Sequence, residues 1–333
     1  MKVRSYCRYF IMALFSLPQL VLAEELMVYS SRNATYIKPL FDDYSRETGV
    51  GVRYLVAPGP TLISRLSVEG EASPADLFIT AGAANLWSAS QKGLLSSVRS
   101  RTLDKNVPDY LKSSKGDWFA FSKRARTILY NPEKVSADEL HGYADLAQSK
   151  WQGRLCLRSF KDEYSQSLVA MLINDVGTDK TEEIVNGWVS NLAMNPLDDD
   201  MKIAAAINQG LCDVGIVNSY YFARFKREQP DTKLKLFWAD QDGKGVHVDI
   251  TGVAVTASAK NKQAALDLLE WLTIKQTQVF FANLSMEYPA NPKVYPAREV
   301  AKWGKFKEDK APVENLGHNH KAAVALIKKN QYK

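Results

Sequence analysis

From Glu25 onward, short apolar runs alternate with longer amphipathic ones, and that rhythm restricts the possible folds more than anything else in the chain. "ELMVYSS" has the pattern of a short strand, and "IKPLFDDYSRETG" that of an amphipathic helix ended by Gly49. "VGVRYLVAPG" and "ADLFITAG" are further strands, each followed by a helical run, "TLISRLSVEGEAS" and "AANLWSASQKGLL". Alternation at this spacing predicts parallel strands with crossover helices, hence an α/β sheet. "DWFAFSKRARTILYNPEKV" then departs from the rhythm as one long β-rich segment. The alternation resumes with a strand in "GRLCLRS", helices in "YSQSLVAMLINDVG", "TEEIVNGWVSNLA" and "DMKIAAAINQG", and a strand in "CDVGIVNS". A further strand, "VHVDITGVAVTAS", precedes the helical "KQAALDLLEWLTIKQTQVFFANL". No low-complexity or Pro/Gly-rich linker separates the two units, so the expectation is two lobes joined by strands that cross between them.

The chain opens with Lys2, Arg4 and Arg8 ahead of the apolar run "FIMALFSL", with Val21 and Ala23 placed for a cut before Glu24. The run is too short to span a bilayer, so residues 1–23 are expected to be a cleaved secretory signal. Losing them lowers the formal charge from +6 to +3, which gives no argument for nucleic acid. At 46% hydrophobic and 24% charged residues the remainder has an ordinary globular composition, of a length that usually makes two domains. Cys7 would leave with the signal, and Cys156 and Cys212 remain as an even pair for an oxidising compartment. A disulfide between them is expected.

Enzyme motifs are missing: there is no G-x-S-x-G, P-loop, G-x-G-x-x-G after a strand, or H-E-x-x-H. Of the histidines, His247 lies in a β-rich run, and His318 and His320 lie near the basic C-terminus; all three are expected to be structural. The acidic run Asp198–Asp200 is expected to be a solvated turn and helix start. No enzyme is expected.

The tyrosines are the stronger lead. In "VNSYYFARF", Asn218 and Ser219 can cap a helix, which would put Tyr220 and Tyr221 in its first turn. Neighbouring strand residues face opposite ways, whereas two residues of a helical first turn can lean toward one point. The positive end of the helix dipole favours phenolates there. Phenolate is a hard anionic donor suited to a small, highly charged cation such as Fe³⁺, and bound metal offsets the cost of deprotonating it. Tyr164, in "LCLRSFKDEYSQSLVAMLI", has a similar place after a strand and before an apolar helix. Open α/β sheets bind ligands at that edge.

Taken in order, "VYSSRN", "ADLFITAGAANLW", "RARTILYNPEKV", "WQGRLCLRSFKDEYSQSLVA", "INQGLCDVGIVNSYYFARF", "GVHVDITGVAVTASAKNKQAALDLLEWL" and "EYPANP" resemble the periplasmic iron(III)-binding proteins of ABC transporters, the ferric-binding or bacterial transferrin family. The resemblance covers about residues 26–295. It implies a two-lobed, type II-like periplasmic-binding-protein fold, each lobe a mixed sheet flanked by helices, closing like a hinged trap. The first lobe would take residues 24–124 and 253–300, and the second 125–252 and 301–333. It further implies Fe³⁺ held by Tyr164, Tyr220 and Tyr221, and delivery by a monomer to an inner-membrane ABC permease, with no nucleic acid involved. The alternative is a related binder of an oxyanion or small organic cation, with the tyrosines lining an aromatic box. One departure stands out. Relatives that share "YSSR" continue with His-Tyr, both iron ligands, where this chain has Asn33 and Ala34. Tyr36 is the nearest substitute, but three second-lobe tyrosines plus an exogenous anion such as carbonate is the simpler expectation. Arg32, Asn33, Arg126 and Arg158 are the candidates to hold that anion.

Overall fold

The computed structural model describes residues 25–330 and Tyr332; the expected signal segment lies outside the described residues. Three parallel strands, β1 (Glu25–Ser30), β2 (Gly51–Val56) and β3 (Leu77–Ala81), open the chain. They are linked by helices α1 (Ala34–Thr48) and α2 (Gly59–Glu69), and α3 (Ala83–Gln91) and the short α4 (Arg101–Asn106) follow. Gly49 ends α1 in the left-handed region at φ 77°, where its backbone N–H returns to the Ser45 carbonyl. The β-rich segment that broke the rhythm is a single twelve-residue strand, β4 (Phe119–Tyr130).

The second half contains β5 (Leu155–Cys156), helices α5 (Glu163–Val176), α6 (Thr178–Ser190) and α7 (Asp200–Asn208), then β6 (Val214–Asn218) and α8 (Ser219–Glu228). After β7 (Lys235–Phe237), the nine-residue β8 (His247–Val255) runs back along β4. Helices α9 (Lys262–Thr273) and α10 (Lys275–Ser285), the two-residue β9 (Tyr288–Pro289), α11 (Arg298–Ala301) and α12 (Glu314–Lys329) complete the described chain.

All nine strands of the described residues belong to one mixed sheet of order β2-β1-β3-β8-β4-β6-β5, with β7 and β9 also paired to β4. The expectation of parallel pairing therefore holds within each half, for β1, β2 and β3 and for β5 and β6. The halves meet through antiparallel β8 and β4, both buried along nearly their full length. A register shift between Ala120 and Ser122 interrupts that pairing, and a bulge of this kind bends and twists a strand.

Cys156 and Cys212 form a disulfide, with Cα atoms 6.0 Å apart. Both are buried in an apolar cluster with Ile203, Ile207, Val217 and Phe222. Gly215 lets β6 approach β5, since a Cβ there would lie 2.7 Å from the Cys156 carbonyl oxygen. Helix α12 had no counterpart among the expected elements. It packs on α3 through Gly317 and His318, which meet Trp87, and on α5 through Asn319, which donates to the Ala170 carbonyl. Among the described residues, no helix is long and apolar enough to cross a membrane.

Candidate metal centre

Two helix N-termini meet where the halves join. Strand β6 ends at Asn218, the cap position of α8, so Tyr220 and Tyr221 occupy the second and third helical positions. Their ring centroids lie 4.4 Å apart with the planes inclined at 31°. Tyr164 has the matching place on α5: Asp162 caps the helix by accepting the Tyr164 backbone N–H at 2.9 Å. The Tyr220 and Tyr164 hydroxyl oxygens lie 3.4 Å apart. Three phenols thus converge from two helices whose dipoles both favour negative charge.

Arginines cover the faces of these rings. Arg124 lies 4.8 Å from the Tyr164 centroid, and Arg158 lies 5.1 Å from Tyr164 and 5.7 Å from Tyr221. Arg224 is one helical turn beyond the tyrosine pair and sits over Tyr220 at 4.6 Å, Tyr36 at 4.8 Å and Tyr221 at 5.3 Å. Among the described residues Arg224 has no carboxylate partner, while the other guanidiniums each have one. Arg32 pairs with Glu287 at 2.5 Å, Arg124 with Asp249 at 3.4 Å, Arg126 with Asp200 at 3.0 Å, and Arg158 with Asp162 at 2.7 Å and Asp200 at 3.4 Å. Even so, Arg32, Arg124, Arg126 and Arg158 each keep a buried Nε–H without a hydrogen-bond partner. Unpaired buried donors are costly, and oxyanions satisfy them well.

Burial pushes the Tyr164 phenol up to about 12, against the opposing pull of Arg124 and Arg32. Tyr220 is raised well beyond the ordinary phenol range, by burial first and then by its neighbours Tyr164 and Tyr221. Neither ionises alone near neutral pH, so a cation that binds here must displace protons. Burial also lifts the Glu163 carboxyl to about 7, although Arg124 pulls it down. For Glu287 the balance is reversed: burial would raise it, but Arg32 and Arg124 hold it below the usual carboxylate range. Among the described residues no group of three or more His, Cys, Asp or Glu could hold a metal, so the tyrosines are the hard donors available.

The structure brings Tyr164, Tyr220, Tyr221, Arg158 and Tyr36 together. Arg32 lies beside Tyr36, at 5.6 Å, with its charge committed to Glu287. Asn33 is elsewhere. It is exposed, and its side-chain oxygen caps α1 by accepting the Thr35 N–H at 2.9 Å. Arg126 is turned toward Asp200 and the Ile216 carbonyl. The acidic run needs correction: Asp200 is fully buried, because the fold inserts it between Arg126 and Arg158, and it also accepts the Asn218 N–H at 2.8 Å.

Sequence reasoning missed Arg224, although its positions three and four residues after the tyrosines put it on their helix face. It also missed Arg124 as a partner of Tyr164, despite the period-two "RAR" spacing that places Arg124 and Arg126 on one strand face. Glu287 and Asp249 carry no local signal, since their partners are distant in sequence.

The profile of the bacterial extracellular solute-binding proteins matches residues 39–308. Iron uptake protein A1 of Synechocystis is 38% identical over 300 residues, covering 88% of this chain and 83% of that protein. The Fe(3+)-binding periplasmic protein of Serratia marcescens is 26% identical over 314 residues, covering 91% and 89%. Among solved structures, a Trichodesmium protein in complex with iron and citrate ligands superposes with a TM-score of 0.88 at 38% identity, covering 93% of this chain and all of that one. The ferric binding protein from Campylobacter jejuni gives 0.88 at 32% identity, covering 92% and 100%. On this similarity, along nearly its whole described length, the chain belongs to the bacterial extracellular solute-binding protein family.

Proposed function

We propose that this protein captures ferric iron in the periplasm through the phenolates of Tyr164, Tyr220 and Tyr221 and delivers it to an inner-membrane ABC permease, without chemical conversion. The observation that carries this reading is the convergence of three phenols from two helix N-termini, with Tyr220 and Tyr164 oxygens 3.4 Å apart amid guanidiniums. The names and bound ligands of the relatives support it. Three phenolates balance the charge of Fe³⁺. A small oxyanion such as carbonate then completes the coordination, held by Arg158 and by Arg224, whose charge no carboxylate among the described residues offsets.

The lobes are assigned as residues 24–124 with 253–300 and residues 125–252 with 301–333. The bulge in β4 near Ala120 and the antiparallel β4–β8 pair are suited to bending between them. The protein is assigned as an exported monomer after removal of residues 1–23. An aromatic box for an organic cation is less well supported, because the Arg224 guanidinium already covers Tyr36, Tyr220 and Tyr221.

Metal analysis of protein purified without chelators, with visible spectroscopy, tests the reading. Replacing each tyrosine by phenylalanine removes one oxygen and keeps the ring. The apo form should lose only about 0.5–1.5 kcal/mol, typical of one hydrogen bond. Iron affinity should fall by more than the roughly 10–100-fold seen when only a ligand's supporting partner is removed, and the phenolate–iron band should shift or vanish. Unchanged affinity and colour in all three variants would refute the ferric reading.

A further inference from the structure

Behind the tyrosine cluster, a cavity of about 630 Å³ opens between α8, the end of α10 and α11. Lys226 and Arg227, from the last turn of α8, line one side, and Arg298 and Lys302 line the other. Glu299 is the one carboxylate in the lining, which leaves three surplus positive charges. Arg227 donates to Glu299 at 3.2 Å and to the Met286 sulfur at 3.4 Å. Lys226, Arg298 and Lys302 have no ion pair among the described residues. Buried Met286 and Ala297 also line the cavity, giving it an apolar base beneath a charged rim. Met286 takes left-handed backbone, φ 63°, where it ends α10, a conformation uncommon for a residue with a side chain.

Like charges scattered on a convex surface are each hydrated independently, whereas around a concavity their fields add in one small volume. Among the described residues nothing else in the cavity lining relieves that repulsion, and the lining offers two planar guanidinium forks and two ammonium groups, a mixture suited to phosphate oxygens. We propose that this cavity is a second binding site, separate from the metal centre, for a compact phosphate-bearing polyanion of the inorganic pyrophosphate type. The anion spans α8 and α11, lies over the Met286 base, and offsets the surplus charge. The lining contains none of Tyr164, Tyr220 and Tyr221, although Met286 and Ala297 at its base share a buried apolar cluster with Tyr220.

Calorimetric titration of the apo chain with inorganic pyrophosphate, at low and at moderate salt, tests the proposal. One equivalent should bind, more weakly as salt rises. The double variant Arg298→Gln/Lys302→Gln changes two exposed, unpaired side chains and should weaken binding at least tenfold. Arg224→Gln, which alters the arginine over the tyrosines, should leave it unchanged. Absence of binding at millimolar pyrophosphate would overturn the proposal. So would wild-type binding by the double variant, or loss of binding in Arg224→Gln, which would place the anion at the tyrosines.

Discussion

Changing Asp200 to asparagine should cost this protein far more than the same change at either aspartate before it. Asp198 reaches only the exposed Lys202, at 2.8 Å. Asp199 caps α7 by accepting the Met201 N–H at 2.6 Å, a task asparagine performs about as well. Asp200 has no solvent exposure, and its two oxygens face Arg126 at 3.0 Å and Arg158 at 3.4 Å. One of them also takes the Asn218 N–H at the start of α8. Removing the charge leaves buried Arg126 without a counterion and Arg158 with Asp162 alone, and breaking a buried pair by deleting one partner typically costs about 3–5 kcal/mol. In a chain of this size each kcal/mol lowers the melting temperature by roughly 2 °C, so the loss should be about 6–10 °C. Asp198→Asn and Asp199→Asn should melt close to wild type. Thermal and urea unfolding of the three apo variants at pH 7.5 provides the measurement. Adding Arg126→Met to Asp200→Asn removes one orphaned charge and should recover part of the loss. If Asp200→Asn is no less stable than its two neighbours, the role assigned to the buried triad is wrong.

Replacing Cys156 and Cys212 by alanine should lower unfolding free energy by about 2–4 kcal/mol, since the bridge closes a loop with a sequence separation of 56; an unchanged urea midpoint would contradict this. Iron affinity should fall as pH falls, by up to about tenfold per pH unit for each phenol proton displaced, and a flat profile in competition assays between pH 5.5 and 8 would exclude phenolate ligation. Apo stability has two opposing contributions in the same acid range. Burial lowers His247 to about 4, so the unfolded chain, near 6.5, takes up the proton first and stability is lost as pH falls from about 6.5 toward 4. Glu163, raised to about 7 in the fold, gains stability as pH falls through 7; Glu163→Gln should therefore steepen the acid loss, and His247→Gln should flatten it. Iron loading should depend on bicarbonate in the wild type and less so in Arg224→Gln, whereas Arg32→Ala should chiefly destabilise the fold by stranding buried Glu287; an equal gain in loading on adding bicarbonate to wild type and to Arg224→Gln would remove Arg224 from that role.

Local periodicity was enough to place most strands and helices, because a buried face imposes its spacing on each segment by itself. The alternation from Glu25 to Gln91, the Gly49 stop and the apolar helix after Tyr164 are all of this kind. The tyrosines on α8 and α5 were likewise visible as residues that follow a strand and enter a helix. Tertiary structure decided which charges belong together. Asp198, Asp199 and Asp200 look alike in the chain, yet only Asp200 is enclosed, and its partners lie 42 and 74 positions away. Glu287 finds Arg32 across 255 positions, and α12, with no motif of its own, bridges Trp87 and Ala170. Hydrophobic patterning is short in range and repeats every two or about 3.6 residues, so a segment carries it alone. A buried ion pair depends on which distant segment the sheet order places opposite it, and no local pattern encodes that.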